Sequence, residues 1–308
     1  MPRFDVTLAG ETNLDIILYG LPEEMPLEQE LLGDDLMVTL GGSTSITAHN
    51  LAVLGSKVGL ITRVGGDPLG QVAVDRLRDA GVDLSRMTHS TKLSTGLTLL
   101  LQHGARRRIL TYAGAMSEMG CEDLDLDYLA SARHFHLCSF FLQRGWVAQI
   151  PQVLQQLKTA GLTISLDTND DPADRWDDGI HEALRFVDIL LPNEREACKI
   201  AGVDDVEEAL LRLAKRVPNV VVKVGAQGSV GISKGKRYAA PAEKVKVVDA
   251  IGAGDSFDAG FLNKYLTGAG FGECLAAGNS SAALSTTRPG GTEAFRERLL
   301  QRGKEVKH

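Results

Sequence analysis

The run VKVVDAIGAGDSFDAGFLNKYL carries the strongest chemical signal in the chain: an alternating apolar stretch, a loop of small residues, then an amphipathic helix bearing Phe257, Phe261, Leu262, Tyr265 and Leu266. Gly252, Ala253 and Gly254 let backbone N–H groups converge at the positive end of that helix, which suits a phosphate or a transferring phosphoryl group. A carboxylate beside such a seat is unexpected for phosphate binding alone. Asp255 makes sense there if it takes the proton of an attacking hydroxyl while the loop amides stabilise charge on the phosphoryl group. The competing reading makes Asp255 a helix-start acid and the glycines a plain turn.

A second signal is PNEREACKIAG after the apolar run FVDILL. Asn193 as N-cap with Glu196 three residues on is a capping box. The same pair can hold phosphate oxygens and magnesium-bound water, since Mg²⁺ keeps several waters and few carboxylates. Near the N-terminus, Asn13 and Asp15 follow a strand, and Gly41-Gly42 open the helical segment STSITAHNLAVLG. Polar side chains and glycine-exposed backbone suit sugar hydroxyls, with turn chemistry as the alternative.

Other features commit to less. GGDPLG at 65–70 reads as a loop into a helix near Gln71, without the Rossmann fingerprint. VVVKVGAQGSVGI reads as a strand and hairpin turning at Gly225 and Gly228, with Lys223 either reaching a nucleotide phosphate or lying on a solvated edge. Asp167 and Asn169 stand where a parallel strand ends, and an Asx-turn explains them equally. Arg106 to Arg108 are an anion site or a solvated strand. His134 and His136 form no ligand set and read as core or edge positions. The chain has no GxSxG elbow and no Walker A Lys-Ser pair.

These residues need a scaffold, and the pattern supplies one. FDVTLAG, SKVGLITRVG, ARHFHLC, LTISLD, FVDILLP and NVVVKVG alternate with amphipathic stretches, which predicts an α/β fold with a parallel sheet. Gly81 and Gly161 close two of the predicted helices. Residues 16–40 and 94–113 read as strand pairs without helices, forming one small antiparallel sheet inserted into the body as a lid. No linker or repeat interrupts 1–308, so a single domain is expected.

With 44% apolar residues in 308, the chain can bury a substantial core. A net charge of −7 gives no field for nucleic acid or anionic lipid, and no apolar run is long enough for a membrane helix. Four scattered cysteines and no signal peptide point to the cytoplasm.

Taken in order, ETNLD, GGSTSITAHNLAVLG, RVGGDPLG, LDTND, PNERE, VKVGAQG and DAIGAGDSFDAGF resemble the ribokinase-like, or PfkB, carbohydrate kinases over nearly the whole chain. The resemblance implies a three-layer fold with a mostly parallel central sheet flanked by helices and a small β lid. It also implies phosphoryl transfer from ATP, with Mg²⁺, to a hydroxyl of a small sugar. On that basis Asp255 is the base and Gly252, Ala253 and Gly254 the anion hole. Asn13, Asp15, Gly41, Gly42 and position 46 would contact the sugar. Asn193, Lys223, Gly225, Gly228 and Asn279 would hold nucleotide, with Glu196 reaching Mg²⁺ through water.

Asp249 and Ile251 correspond to positions that bind a monovalent cation such as K⁺, with Ser285, Arg288 and Gly290 completing that loop, and a homodimer would form through the lid. Two residues depart from the pattern. Ala250 stands where Thr or Ser is common, and Ile46 where several members carry Asn, which argues against ribose. A nucleoside kinase, with Tyr19, Phe140 or Phe141 as a shelf for the base, and a catalytically silent sugar or nucleotide sensor remain as alternatives. A dinucleotide oxidoreductase lacks its GxGxxG.

Overall fold

β-Branched runs separated by helices can lie side by side in parallel, because each helix returns the chain to the same end of the sheet. In the computed structural model, which describes residues 2–104 and 106–305, fourteen strands form. They are β1 (Phe4–Ala9), β2 (Asn13–Tyr19), β3 (Asp35–Gly41), β4 (Val58–Ile61), β5 (Arg63–Gly65), β6 (Thr88–Ser90), β7 (Gly96–His103), β8 (Arg106–Tyr112), β9 (Ala132–Cys138), β10 (Thr163–Asp167), β11 (Ile189–Leu190), β12 (Asn219–Lys223), β13 (Ser229–Ser233) and β14 (Lys236–Ala240). The helices are α1 (Ser43–Val53), α2 (Pro68–Asp79), α3 (Leu126–Ala130), α4 (Ile150–Thr159), α5 (Ile180–Ala183), α6 (Glu194–Ala201), α7 (Val206–Leu213), α8 (Ala253–Leu266), α9 (Phe271–Ser285) and α10 (Glu293–Glu305).

The main sheet runs β14-β13-β12-β11-β10-β9-β1-β4, parallel from β4 to β12 and antiparallel at the β12-β13-β14 end. Two apolar layers sandwich it. One joins Phe135, Ile164, Val220 and Val222 to α4, α6 and α7, and the other joins Val6, Leu8, Leu60 and Val221 to α1, α2, α8 and α9. Gly81 and Gly161 do close α2 and α4. Each has positive φ, and the following N–H bonds back to Leu77 or Leu157 in a Schellman arrangement.

Several expectations change. The smaller sheet runs β3-β2-β7-β8 and is mixed, because its central strands β2 and β7 are parallel. Two hairpins leave the body at different points of the chain, and their leading strands align. The first hairpin starts at Asn13, so Asn13 and Asp15 are strand residues on one face, and turn chemistry does not account for them. The alternating run Val245–Val248 is no strand: the sheet edge is already formed by β14, and Val247 and Val248 stay half-exposed in an irregular connection. Helix α2 starts at Pro68, capped by Asp67, three residues ahead of the expected start. The helix expected to begin at Asp255 begins at Ala253.

Candidate active site

Gly252, in the left-handed region at φ 68°, is the N-cap of α8 and supplies no side-chain cap. Asp255 is therefore a first-turn acid and not the N-cap, a position that the helix-start reading and the base reading share. Ser256 N–H makes the first helical bond, to Gly252 O, and Ala253 N–H turns back to Ala250 O at 3.3 Å. The N–H groups of Gly254 and Asp255 are left without helical acceptors at the positive end of α8.

This turn is held from below by α1. Asn50 Nδ2 donates to Ser256 Oγ and to Gly291 O, both at 3.0 Å, and Thr47 Oγ1 donates to Asp255 O at 3.4 Å. Glu11, which the motif reading passed over, fixes the start of α1: its carboxylate accepts from Thr44 N and Thr44 Oγ1, from Ser139 Oγ at 2.7 Å and from Gln143 Nε2 at 2.8 Å. A buried acid directly after β1 was its one sequence signal.

Asp255 is 7% exposed, and burial first, then the negative charge of Asp167, raises its carboxyl to about 7. Asp15 on β2 is also buried and is raised to about 7, by burial first and then by Asp255 and Asp249. Such carboxyls gain or lose a proton near neutral pH, as a base for a hydroxyl must.

Asn13 donates to Thr98 Oγ1 at 3.0 Å while its buried Oδ1 has no hydrogen-bond partner among the described residues, an acceptor that a ligand hydroxyl would satisfy. Gly41 and Gly42 are required by close approach. A Cβ on Gly41 would stand 2.1 Å from Asp15 Oδ1, and one on Gly42 2.6 Å from Asn13 Oδ1. These residues gather at one place. Ile46 is as buried as Asn13 and Asp15 and packs beneath Gly252 and Gly291.

Beyond the first turn of α8 opens a cavity of about 980 Å³, lined among others by Asn193, Glu196, Lys223, Gly225, Gly228 and Asn279, with Val245 and Val247 on its apolar wall. Asn193 and Glu196 form the reciprocal cap, Asn193 N to Glu196 Oε2 at 2.9 Å and Glu196 N to Asn193 Oδ1 at 3.0 Å. Glu196 is raised to about 7, by burial above all and then by Asp167. Asn279 Nδ2 pins the backbone carbonyls of Ala240 and Pro241. Lys223 is not on a solvated edge: its ammonium is held between Asp167 at 2.7 Å and Asp258 at 3.3 Å, with the side chain 13% exposed toward the cavity. Asp258 was missed, though an acid between Phe257 and Phe261 on an apolar helix face is conspicuous.

The other candidates resolve plainly. Asn169 accepts from Ser139 N at 3.0 Å and donates to Ser43 Oγ at 2.9 Å, bridging the strand ends to α1. Arg107 reaches from β8 to Asp249, Nη1 to Oδ1 at 3.7 Å, and Asp249 also accepts from Ile251 N and Gly290 N, each at 3.0 Å. His134 and His136 are core residues, bonded to Thr163 and Ser165, and burial lowers them to about 3 and about 4. Phe140 and Phe141 are buried in the core.

Residues 4–298 match the family model described as pfkB family carbohydrate kinase. The chain belongs to that family. An ATP-dependent ribose-1-phosphate kinase of Halopiger xanaduensis is 33% identical over 94% of both chains. A 2-dehydro-3-deoxygluconokinase of Bacillus subtilis is 30% identical over 93% of this chain and 94% of its own. The crystal structure of a probable sugar kinase protein from Rhizobium etli superposes with a TM-score of 0.86 at 26% identity, covering 98% of this chain and 99% of the other. The fold is thus ribokinase-like, with the mostly parallel sheet between helices and a separate small sheet. PfkB members are ATP-dependent phosphotransferases, as the resemblance implied.

Proposed function

We propose that this PfkB-family kinase transfers the γ-phosphoryl group of ATP to a primary hydroxyl of a small sugar or sugar-like acceptor. The observation that carries the reading is the placement of Asp255: buried, poised near neutral pH, and set in the first turn of a helix where the Gly254 and Asp255 N–H groups have no acceptor among the described residues. Asp255 takes the acceptor's proton, the freed oxygen attacks the γ-phosphorus, and the bond to the β-phosphate oxygen breaks to release ADP. Asn13, Asp15, Gly41 and Gly42 hold the acceptor, and the cavity beside Lys223, Gly225, Gly228 and Asn279 takes the nucleotide. Asn193 and Glu196 fit magnesium-bound water, and Mg²⁺ would supply charge neutralisation between the phosphates.

The two hairpins act as a lid over the acceptor within one domain spanning 1–308. Exposed Leu36, Ile109, Leu110 and Tyr112 on the smaller sheet support its use as a homodimer contact. A monovalent cation at Asp249 and Ile251 belongs to the same proposal, supported by the way Asp249 ties Ile251 to Gly290. Four free thiols and ATP as donor suit the cytoplasm, and among the described residues no helix is long and apolar enough to cross a membrane. Of the shelves a nucleoside base could use, Phe140 and Phe141 are buried and offer no free face, which leaves the partly exposed Tyr19 on β2 for that reading.

ADP release measured across neutral sugars, acidic sugars, ribose and nucleosides, with and without Mg²⁺ and K⁺, tests the reading. Sugar-dependent release by the native chain that falls roughly 10²- to 10⁴-fold in Asp255→Asn is expected. Release from no acceptor, with ATP and sugar shown to bind, would make the protein a sensor.

A further inference from the structure

Lys223 stands at the C-terminal end of β12 with its backbone N–H fixed on Pro192 O at 2.9 Å. Its ammonium lies 2.7 Å from Asp167 Oδ2 and 3.3 Å from Asp258 Oδ1, with the Asp258 side chain fully buried. A Cβ on Gly254 would be 3.5 Å from that ammonium, so the charge sits directly under the first turn of α8. Lys223 also lines the nucleotide-sized cavity beside Asn193, Glu196 and Gly254. One cation thus meets two carboxyls and faces the place where phosphoryl charge would develop.

Asp258 is one helical turn beyond Asp255, on an otherwise apolar stretch of α8. Burying a carboxyl there is costly unless it is used. Its Oδ1 faces Lys223, and its Oδ2 is buried without a partner among the described residues. We propose that Asp258 is a positioning residue for phosphoryl transfer: with Asp167 it clamps Lys223 beneath Gly254, so that a fixed positive charge forms the floor of the anion hole. The inference rests on the phosphoryl-transfer reading above. Burial and the Asp167 charge hold the Asp258 carboxyl well above its usual range, and among the described residues its side chain has one partner, Lys223, through Oδ1. The two acids hold the ammonium from one side and leave its other side to the cavity.

A charge that is preorganised contributes most to the rate, because nothing needs to reorient as the transition state forms. Releasing the clamp should therefore lower kcat and leave acceptor KM nearly alone. The experiment is a double-mutant cycle on the full chain with its best acceptor, using Asp258→Ala, Lys223→Met and the pair, with kcat, both KM values and thermal midpoints measured. Asp258→Ala is expected to lose about 10- to 100-fold in kcat, with acceptor KM within about threefold. Asp258→Asn, which retains an oxygen toward Lys223, should recover most of that loss. On the Lys223→Met background, Asp258→Ala should cost nothing further. Additive losses in the cycle, or a folded Asp258→Ala protein with native kcat, would overturn the proposal. If Asp258→Ala is insoluble, Asp258→Leu fills the volume and takes its place in the cycle. A native chain with no kinase activity would instead defeat the underlying reading, which keeps the two failures apart.

Discussion

Ile46 Cδ1 lies 3.4 Å from the point where a Cβ on Gly252 would stand, and 2.9 Å from the corresponding point on Gly291. The side chain of α1 thus forms a hard floor under the loop that opens α8. A side chain on Gly291 would collide with Ile46, whereas Gly252 is held to glycine by its φ of 68° and by Gly291 Cα, 2.5 Å from where its Cβ would stand. The contact gives Ile46 a packing role beneath Gly252 and Gly291, which the acceptor-wall role has to be tested against.

Ile46→Ala should therefore lower stability by about 2–4 kcal/mol through the cavity it leaves. It should reduce kcat by more than it raises acceptor KM, because the floor of the loop softens while Asn13 and Asp15 stay in place. Steady-state kinetics and denaturant melts measure both. A large rise in acceptor KM at unchanged kcat would return Ile46 to the acceptor wall.

The smaller sheet meets the body at few polar points, among them Thr39 to Glu293 at 3.0 Å and Arg107 to Asp249 at 3.7 Å. Leu14 and Leu40 anchor its base in the apolar layer of the body, so the lid proposed above would close by movement of its outer part as a sugar bridges the two sides. Hydrogen exchange should show residues 16–40, 94–104 and 106–113 slowing on acceptor binding, while β9 and β10 in the sheet core do not change. Equal protection with and without a bound acceptor would mark the sheet as a fixed contact surface.

Stability should fall as pH rises through neutrality. Asp15, Glu196 and Asp255 are each raised to about 7 in the folded chain. Between their ordinary values and pH 7 the native state holds more protons than the unfolded one. Stability from these groups is therefore full at low pH and lost as pH rises through 7. His49, His134 and His136 act oppositely: lowered by burial to about 4, 3 and 4, they contribute stability above pH 6.5 that is lost on acidification. From pH 6.5 to 8 the carboxyls outweigh the histidines, whose unfolded forms lose their last protons just above 6.5, so the ligand-free thermal midpoint should decline, and Asp255→Asn should flatten the decline. A midpoint that rises over this window, or an equal slope in the variant, would contradict the assignment.

Much of this was legible because it depends on local rules. The parallel strands follow from apolar runs punctuated by glycine, and Asn193 with Glu196 forms the reciprocal cap their spacing dictates. What was not legible depends on distant partners. Lys223 looks like an edge lysine until β10 and α8 bring Asp167 and Asp258 to it from 56 and 35 residues away. Glu11 is one acid in a polar run until α1 and β9 surround it. Val245 to Val248 alternate like a strand, yet β14 has already taken the sheet edge, and two of these valines line the cavity instead. Periodicity reports how a segment would pair if an edge were open to it, and only the assembled sheet decides whether one is.

The rate profile should show Asp15 and Asp255 titrating as neighbours. Each carboxylate makes the other harder to ionise, since like charges in a buried site raise both pKa values. If Asp255 is the base, kcat/KM must fall as pH drops below about 7, where its carboxyl takes up a proton. Replacing Asp15 by Asn removes a negative charge that Asp255 feels, while leaving an amide able to bond a hydroxyl. The acidic limb of kcat/KM should then move to lower pH, even as acceptor KM rises from the altered contact. Asp255→Asn should abolish the limb together with most of the rate. Profiles from pH 5 to 9 at constant ionic strength, for the native chain and for Asp15→Asn, decide the matter. A limb that stays in place or moves upward in Asp15→Asn would mean that the two carboxyls do not share the field of one acceptor site.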